Sequence, residues 1–240
     1  MSEVLAIIPA RGGSKSLPRK NLAPFMGAPL ITWSIEAALR SDRVTRTVVT
    51  TDDQEIADVS AAAGAEIPFI RPAELAEDHV RDLPVFEHAL EWFRVNEGYV
   101  PDLVVQLRPT SPLRPDGLID EAVARLEADP AAHSLRTLCL PSTSPYKMWR
   151  VDGDRMFTIL DAGVPEQHDA PRQILPVVYG QTGLIDVIRT STITERSSMS
   201  GTEIVPMVVD QLLDADVDDQ ASLDWAVKRA EEYGIGRDRG

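Results

Sequence analysis

Four basic side chains within ten residues, two adjacent glycines and no acid make Arg11-Gly12-Gly13-Ser14-Lys15-Ser16-Leu17-Pro18-Arg19-Lys20 a segment suited to holding an anion. Glycine lets backbone N–H groups approach a ligand closely and can adopt positive φ. Consecutive N–H groups in such a turn form an anion-binding concavity, to which Arg11, Lys15, Arg19 and Lys20 add full positive charges. A triphosphate suits this loop, with Arg11, Gly12, Gly13, Ser14 and Lys15 expected on its phosphates. The spacing matches neither GxxxxGK[ST] nor GxGxxG, so the chain is neither a P-loop protein nor a dinucleotide binder by those signatures. Near the other end stands the acidic run Asp214-Ala215-Asp216-Val217-Asp218-Asp219. Aspartates alternating after a strand put their carboxylates on one side, as a hard cation requires. The same run also suits an acidic loop that caps the last helix.

These segments need a scaffold to bring them together. The apolar run Val4 to Ile8 reads as a buried strand that empties into the basic loop. Further strands are expected at 46–51, 67–70, 103–107, 134–140, 183–188 and 204–209. Helical spacing lies between them: Ile31, Ile35 and Ala38; Phe86, Leu90 and Phe93; Ile119, Val123 and Leu126; Leu223, Val227 and Ala230. Pro29, Pro84 and Pro115 stand near helix starts, where proline is tolerated. Strands alternating with helices predict an α/β fold with a mostly parallel sheet flanked by helices. Ligands of such sheets bind beyond the carboxyl ends of the strands, so the loops after the strands should share one crevice. The rhythm breaks over about 141–182, a Pro-rich insertion with a hairpin expected at Asp152-Gly153-Asp154. The whole chain, 1–240, reads as one domain carrying that insertion.

The 240 residues carry a formal charge of −14, which argues against a nucleic-acid partner and makes the basic loop the more telling. No run approaches the roughly 18–20 apolar residues of a membrane span, and no secretory peptide is evident. A single cysteine, Cys139, excludes an intrachain disulfide framework and reads as buried packing. A cytoplasmic protein is expected. Asp52-Asp53 reads as a helix cap for the segment carrying Ile56 and Val59, with no catalytic role. His79 and His88 read as ordinary surface or loop histidines.

The segment Ile7-Ile8-Pro9-Ala10-Arg11-Gly12-Gly13-Ser14-Lys15, followed by Pro18-Arg19-Lys20-Asn21, resembles the opening of the acylneuraminate cytidylyltransferases, the CMP-sialic acid synthetase family. Four later segments match in order. Arg71-Pro72-Ala73-Glu74-Leu75-Ala76-Glu77-Asp78 resembles the family's RPxxLAxD; Arg108-Pro109-Thr110-Ser111-Pro112-Leu113-Arg114 resembles its QPTSPLR; Arg172-Gln173-Ile174-Leu175-Pro176-Val177-Val178-Tyr179 resembles RQxLPxxY; Ser198-Met199-Ser200-Gly201 matches SMSG.

The resemblance implies a Rossmann-like sheet of the nucleotide-diphospho-sugar transferase type. It implies transfer of CMP from CTP to the anomeric hydroxyl of a sialic-acid-like sugar acid, with release of pyrophosphate. Lys20, Asn21 and Arg71 would join the basic loop on the nucleotide. Arg108, Thr110, Ser111, Lys147, Arg172 and Tyr179 would meet the acceptor. Mg²⁺ would sit on Asp216 and Asp218, which with Arg11 and Lys15 form the expected catalytic set. Because the spacing to the last helix is slightly longer than the family's, Asp214 or Asp219 stand as substitutes. The inserted lobe would make a homodimer and reach into the partner's site.

The chain departs from the pattern at three places. His79-Val80-Arg81-Asp82 replaces small hydroxylated residues, Arg108 replaces the usual Gln, and Thr182 replaces an Asn. An Arg for a Gln offers a rigid cationic fork suited to carboxylate or phosphate, so another acidic acceptor (a different nonulosonic or octulosonic acid, or a phosphonate) stays open. A CTP-binding protein without turnover is the more distant reading.

Overall fold

The computed structural model describes residues 2–236; the expected single domain extends over Met1 and residues 237–240, which lie outside the described residues. Its elements run β1 (Val4–Pro9), β2 (Pro24–Phe25), β3 (Ala28–Pro29), α1 (Leu30–Leu39), β4 (Arg46–Thr50), α2 (Gln54–Ala62), α3 (Asp82–Asn96), β5 (Leu103–Gln106), α4 (Leu118–Glu127), β6 (Ser134–Cys139), β7 (Trp149–Asp152), β8 (Arg155–Thr158), β9 (Gly180–Arg189), α5 (Thr190–Thr194), β10 (Ile204–Val208) and α6 (Gln220–Tyr233).

β1 is apolar throughout because both of its faces are covered. Val4, Ala6 and Ile8 face the core formed with α1, α4 and α6; Leu5 and Ile7 face the smaller core built on Val85, Phe86, Leu90 and Phe93 of α3. The main sheet has six strands in the order β10-β6-β9-β5-β1-β4. β9 runs antiparallel to β5 and β6, and the other neighbours pair in parallel. The expected mixed α/β architecture with a mostly parallel sheet is therefore observed. β1, β4 and β5 all end at one edge, which is where their loops must meet.

One expected strand is absent. Residues 67–70 form no ladder, and only an isolated bridge joins Val48 to Glu66. Pro68 supplies no N–H to a ladder, which explains why the apolar residues around it stop short of strand. The segment still ends in a fixed place, since the Arg71 N–H donates to the Thr51 carbonyl at 2.7 Å.

The hairpin of the insertion is present as β7 and β8, with Gly153 at φ 56° in its turn. It forms a sheet of its own beside the main one. Buried Gln167 organises this lobe: its carbonyl accepts from Ala162 N–H at 2.6 Å, and its amide donates to the Tyr146 and Leu160 carbonyls. Much of the lobe's apolar surface remains exposed, including Val151, Met156, Phe157, Ile159, Ile174 and Val177. No helix among the described residues is long and apolar enough to cross a membrane.

Candidate active site

The basic loop leaves β1 and is pinned on both sides. The Gly12 N–H donates to Asp52 Oδ1 at 3.0 Å, and buried Asn21 donates its side-chain amide to the Arg11 carbonyl at 3.0 Å. A Cβ on Gly12 would come within 2.8 Å of Asp53 Oδ2 and 2.9 Å of Asp53 Cβ, whereas one on Gly13 would meet nothing within 4 Å. Gly12 is thus demanded by the protein itself. Gly12→Ala must displace either the loop or Asp53, which caps α2 by accepting from Ile56 N–H. We expect it to weaken binding of a nucleoside triphosphate at least tenfold, measured by titration calorimetry, with Gly13→Ala read beside it as the sterically unhindered comparison.

A cleft of about 430 Å³ opens above this edge, and Arg11, Ser14, Lys15, Lys20, Asn21, Arg71, Arg108, Thr110 and Asp218 all line it. The nucleotide-side expectations are gathered there, apart from Gly12 and Gly13, which do not line it. Arg71 is buried, and burial pushes its pKa down against the pull of Asp52, 3.6 Å away. Its Nε has no partner among the described residues. Arg11 and Lys15 both pair with Asp78, Arg11 at 2.7 Å. The Lys15 hydrogen bond, followed by the nearby Arg11, holds the Asp78 carboxyl below its usual range.

Arg19 does not join them. Its φ of 57° turns it onto Asp53 and Glu55 at the start of α2, where it clamps the loop instead of facing the cleft. The expected cation at position 19 is therefore structural.

The acidic run enters from the opposite side. Ala215 and Val217 are buried while Asp214, Asp216 and Asp218 are exposed, as the alternation implied. The Val217 N–H donates to the Thr110 carbonyl at 2.7 Å, and Asp218 Oδ1 lies 3.0 Å from Lys20 Nζ. The two possible substitutes are otherwise engaged. Asp219 caps α6 in a reciprocal box with Ser222. Asp214 lies against the thiol of Cys139, whose pKa burial and this carboxylate push up to about 11. Asp216 and Asp218 remain. No group of three or more His, Cys, Asp or Glu among the described residues is placed to enclose a metal. Asp218 lines the cleft beside the basic loop, and Asp216, two residues away, is exposed but does not line it; one or two carboxylates next to such a loop fit Mg²⁺, which completes its shell with phosphates and water.

On the acceptor side the structure divides the expected residues. Arg108 and Thr110 line the cleft. Ser111 is buried and occupies the space that a side chain at Gly183 would need. Lys147, Arg172 and Tyr179 belong to the lobe and do not line the cleft of their own chain; Arg172 donates to the Pro141 carbonyl at 2.7 Å, and Tyr179 is exposed. Thr182 is turned into the sheet, donating to Thr137 Oγ1 at 2.7 Å.

Arg108 is not an open cationic fork. Nη1 donates to Asp186 at 2.9 Å and Nη2 to Asp82 at 3.1 Å. Burial opposes its charge, but Asp186 and Asp82 more than offset that and raise its pKa. Asp186, fully buried in β9, also receives Arg136. Sequence reasoning missed Asp186, although an acid inside Leu184-Ile185-Asp186-Val187-Ile188 was a visible signal, because buried carboxylates need partners. It also missed Arg114, fully buried and donating to the Leu184 and Arg108 carbonyls and to Ser34 Oγ, which straps the loop after β5 to β9 and α1.

A family model described as "Cytidylyltransferase" matches residues 5–152, which include the basic loop, Arg71 and Arg108. The chain belongs to the cytidylyltransferase family. A CMP-N,N'-diacetyllegionaminic acid synthase of Legionella pneumophila is 30% identical over 93% of this chain and 94% of its own. A pseudaminic acid cytidylyltransferase of Campylobacter jejuni is 41% identical over 49% of this chain; the match spans 50% of that protein's length. The fold, too, has a likeness among solved structures. A solved CMP:2-keto-3-deoxy-manno-octonic acid synthetase, complexed with CTP, superimposes with a TM-score of 0.68 at 20% identity, covering 97% of this chain and 99% of that one.

Proposed function

We propose that this cytidylyltransferase moves CMP from CTP to the anomeric hydroxyl of a sialic-acid-like nonulosonic acid and releases pyrophosphate. One observation carries the reading: the basic loop and the acidic run, about 200 residues apart in sequence, meet at one cleft through Lys20 and Asp218, with Asp216 exposed two residues away. The names of the relatives, pseudaminic acid cytidylyltransferase and legionaminic acid synthase, support the acceptor class.

The chemistry is largely positioning and charge neutralisation. The hydroxyl oxygen forms a bond to the α-phosphorus, and the bond from that phosphorus to the β-phosphate's bridging oxygen breaks. The hydroxyl proton leaves to solvent. Arg11 and Lys15 hold the β- and γ-phosphates and offset the charge that grows on departing pyrophosphate, while Asp78 gives up its place to them. Loop N–H groups of Gly12, Gly13 and Ser14 orient the triphosphate, and Asn21 with Arg71 fixes the nucleoside end. Asp216 and Asp218 would hold Mg²⁺, which supplies Lewis acidity at the phosphoryl oxygens. The enzyme works in the cytoplasm as a homodimer. The apolar residues exposed on the lobe support dimerisation. In that assembly, Lys147, Arg172 and Tyr179 would serve the partner's cleft instead of their own.

The test is pyrophosphate release with CTP and Mg²⁺ across a panel of N-acetylneuraminate, pseudaminate, legionaminate and an octulosonate, with ATP, GTP and UTP as controls. Release that needs CTP and a nine-carbon sugar acid is expected. CTP binding without release on any sugar acid would overturn the proposal.

A further inference from the structure

The substitution of Arg for Gln at position 108 invites the view that its guanidinium binds an anionic group of the acceptor. The geometry assigns it a different task. Arg108 joins two carboxylates from separate elements: Asp186 in the middle of β9 and Asp82 at the first residue of α3. Asp186 is fully buried and shared with Arg136, so this end of Arg108 is fixed inside the protein. Asp82 is half exposed and lines the cleft. A second donor aims at the same carboxylate, since buried Gln106 bonds Asp82 Oδ2 at 2.7 Å, the oxygen that Arg108 also meets. Both bonds fall on Oδ2, which leaves Oδ1 for a ligand. Both Nη groups of Arg108 are therefore already engaged by carboxylates of the protein, so its fork is not open to an acceptor's carboxylate.

We propose that Asp82 is a specificity-determining residue of the cleft, presenting Oδ1 to an N–H or O–H donor of the substrate, and that Arg108 is a positioning residue acting through it. A carboxylate held by two donors on one oxygen is pre-organised, and a ligand that places an acceptor there sets two acceptors against each other with no proton between them. The donor has two possible sources: the exocyclic amine of the nucleobase, which uracil replaces with a carbonyl, or a hydroxyl or amide N–H of the acceptor. The inference rests on the function proposed above, whose failure would show separately in the unaltered enzyme.

The experiment compares the unaltered enzyme with Asp82→Asn, Arg108→Gln and the double variant. CTP and UTP binding are measured by calorimetry with Mg²⁺, and the acceptor KM with whichever sugar acid supports release. Asp82→Asn should cut CTP-over-UTP discrimination about tenfold if the donor is the base, or raise acceptor KM about tenfold at unchanged CTP affinity if it is the sugar. In either case, adding Arg108→Gln to Asp82→Asn should change that parameter by less than twofold. The proposal is overturned if Asp82→Asn moves neither parameter, or if Arg108→Gln retains its full effect in the double variant, since Arg108 would then meet the ligand itself. Should the unaltered enzyme release no pyrophosphate with any sugar acid, the proposed function fails, and the CTP-versus-UTP comparison alone decides the role of Asp82.

Discussion

Asp216→Ala and Asp218→Ala are each expected to lower turnover on the order of 10²- to 10³-fold, because a divalent cation on phosphoryl oxygens supplies several kcal/mol of transition-state stabilisation. The fold should barely register either change. Both side chains are exposed, and the run is held by the buried Ala215 and Val217 and by the Val217 N–H on Thr110. The Mg²⁺ concentration for half-maximal rate should rise in whichever variant retains measurable activity. Asp214→Ala and Asp219→Ala are the comparisons, because these carboxylates already serve Cys139 and the α6 cap. If both Asp216→Ala and Asp218→Ala keep near-normal turnover, the metal assignment is wrong.

The largest effect on stability is expected at Asp186. Its carboxylate is fully buried and takes both Arg108 and Arg136, so Asp186→Ala leaves Arg136 without its counter-charge and Arg108 with Asp82 alone. Breaking a buried ion pair by removing one partner costs about 3–5 kcal/mol. Urea denaturation at neutral pH should show that loss as a lower midpoint with little change in slope. Asp186→Asn keeps one oxygen acceptor for the two arginines and should fall between the variant and the unaltered protein. A loss below about 1 kcal/mol for Asp186→Ala would mean that water reaches this cluster and that the ion pairs behave like surface ones.

The gathering of the basic residues at one cleft was legible because its signals are local. A strand, two glycines and a set of cations lie within a few residues of one another, and the strand's end fixes where the loop points. The same local logic gave the Asp53 cap and the hairpin at Gly153. What failed was local logic applied without backbone geometry. Ile67 to Ile70 looks apolar enough for a strand, but Pro68 sits within it. Arg19 looks like its basic neighbours until its positive φ turns it onto α2.

The acceptor side was harder for a different reason. Arg108, Asp82, Asp186 and Arg136 come from four elements spread over more than 100 residues, and spacing says nothing about such a cluster. Charge at one position therefore suggested an open cationic fork, whereas both Nη groups of Arg108 meet carboxylates of the protein. Nor does the sequence show that Thr182 faces the sheet, since an exposed departure and a buried one look alike there.

The most direct test of the central claim is a ³¹P NMR time course of the enzyme with CTP, Mg²⁺ and the sugar acid that best supports pyrophosphate release. The three CTP signals should give way to one phosphodiester signal of a CMP-sugar and one pyrophosphate signal of twice its area, and only when the sugar is present. Formation of CDP and phosphate, or loss of CTP independent of the sugar, would contradict it.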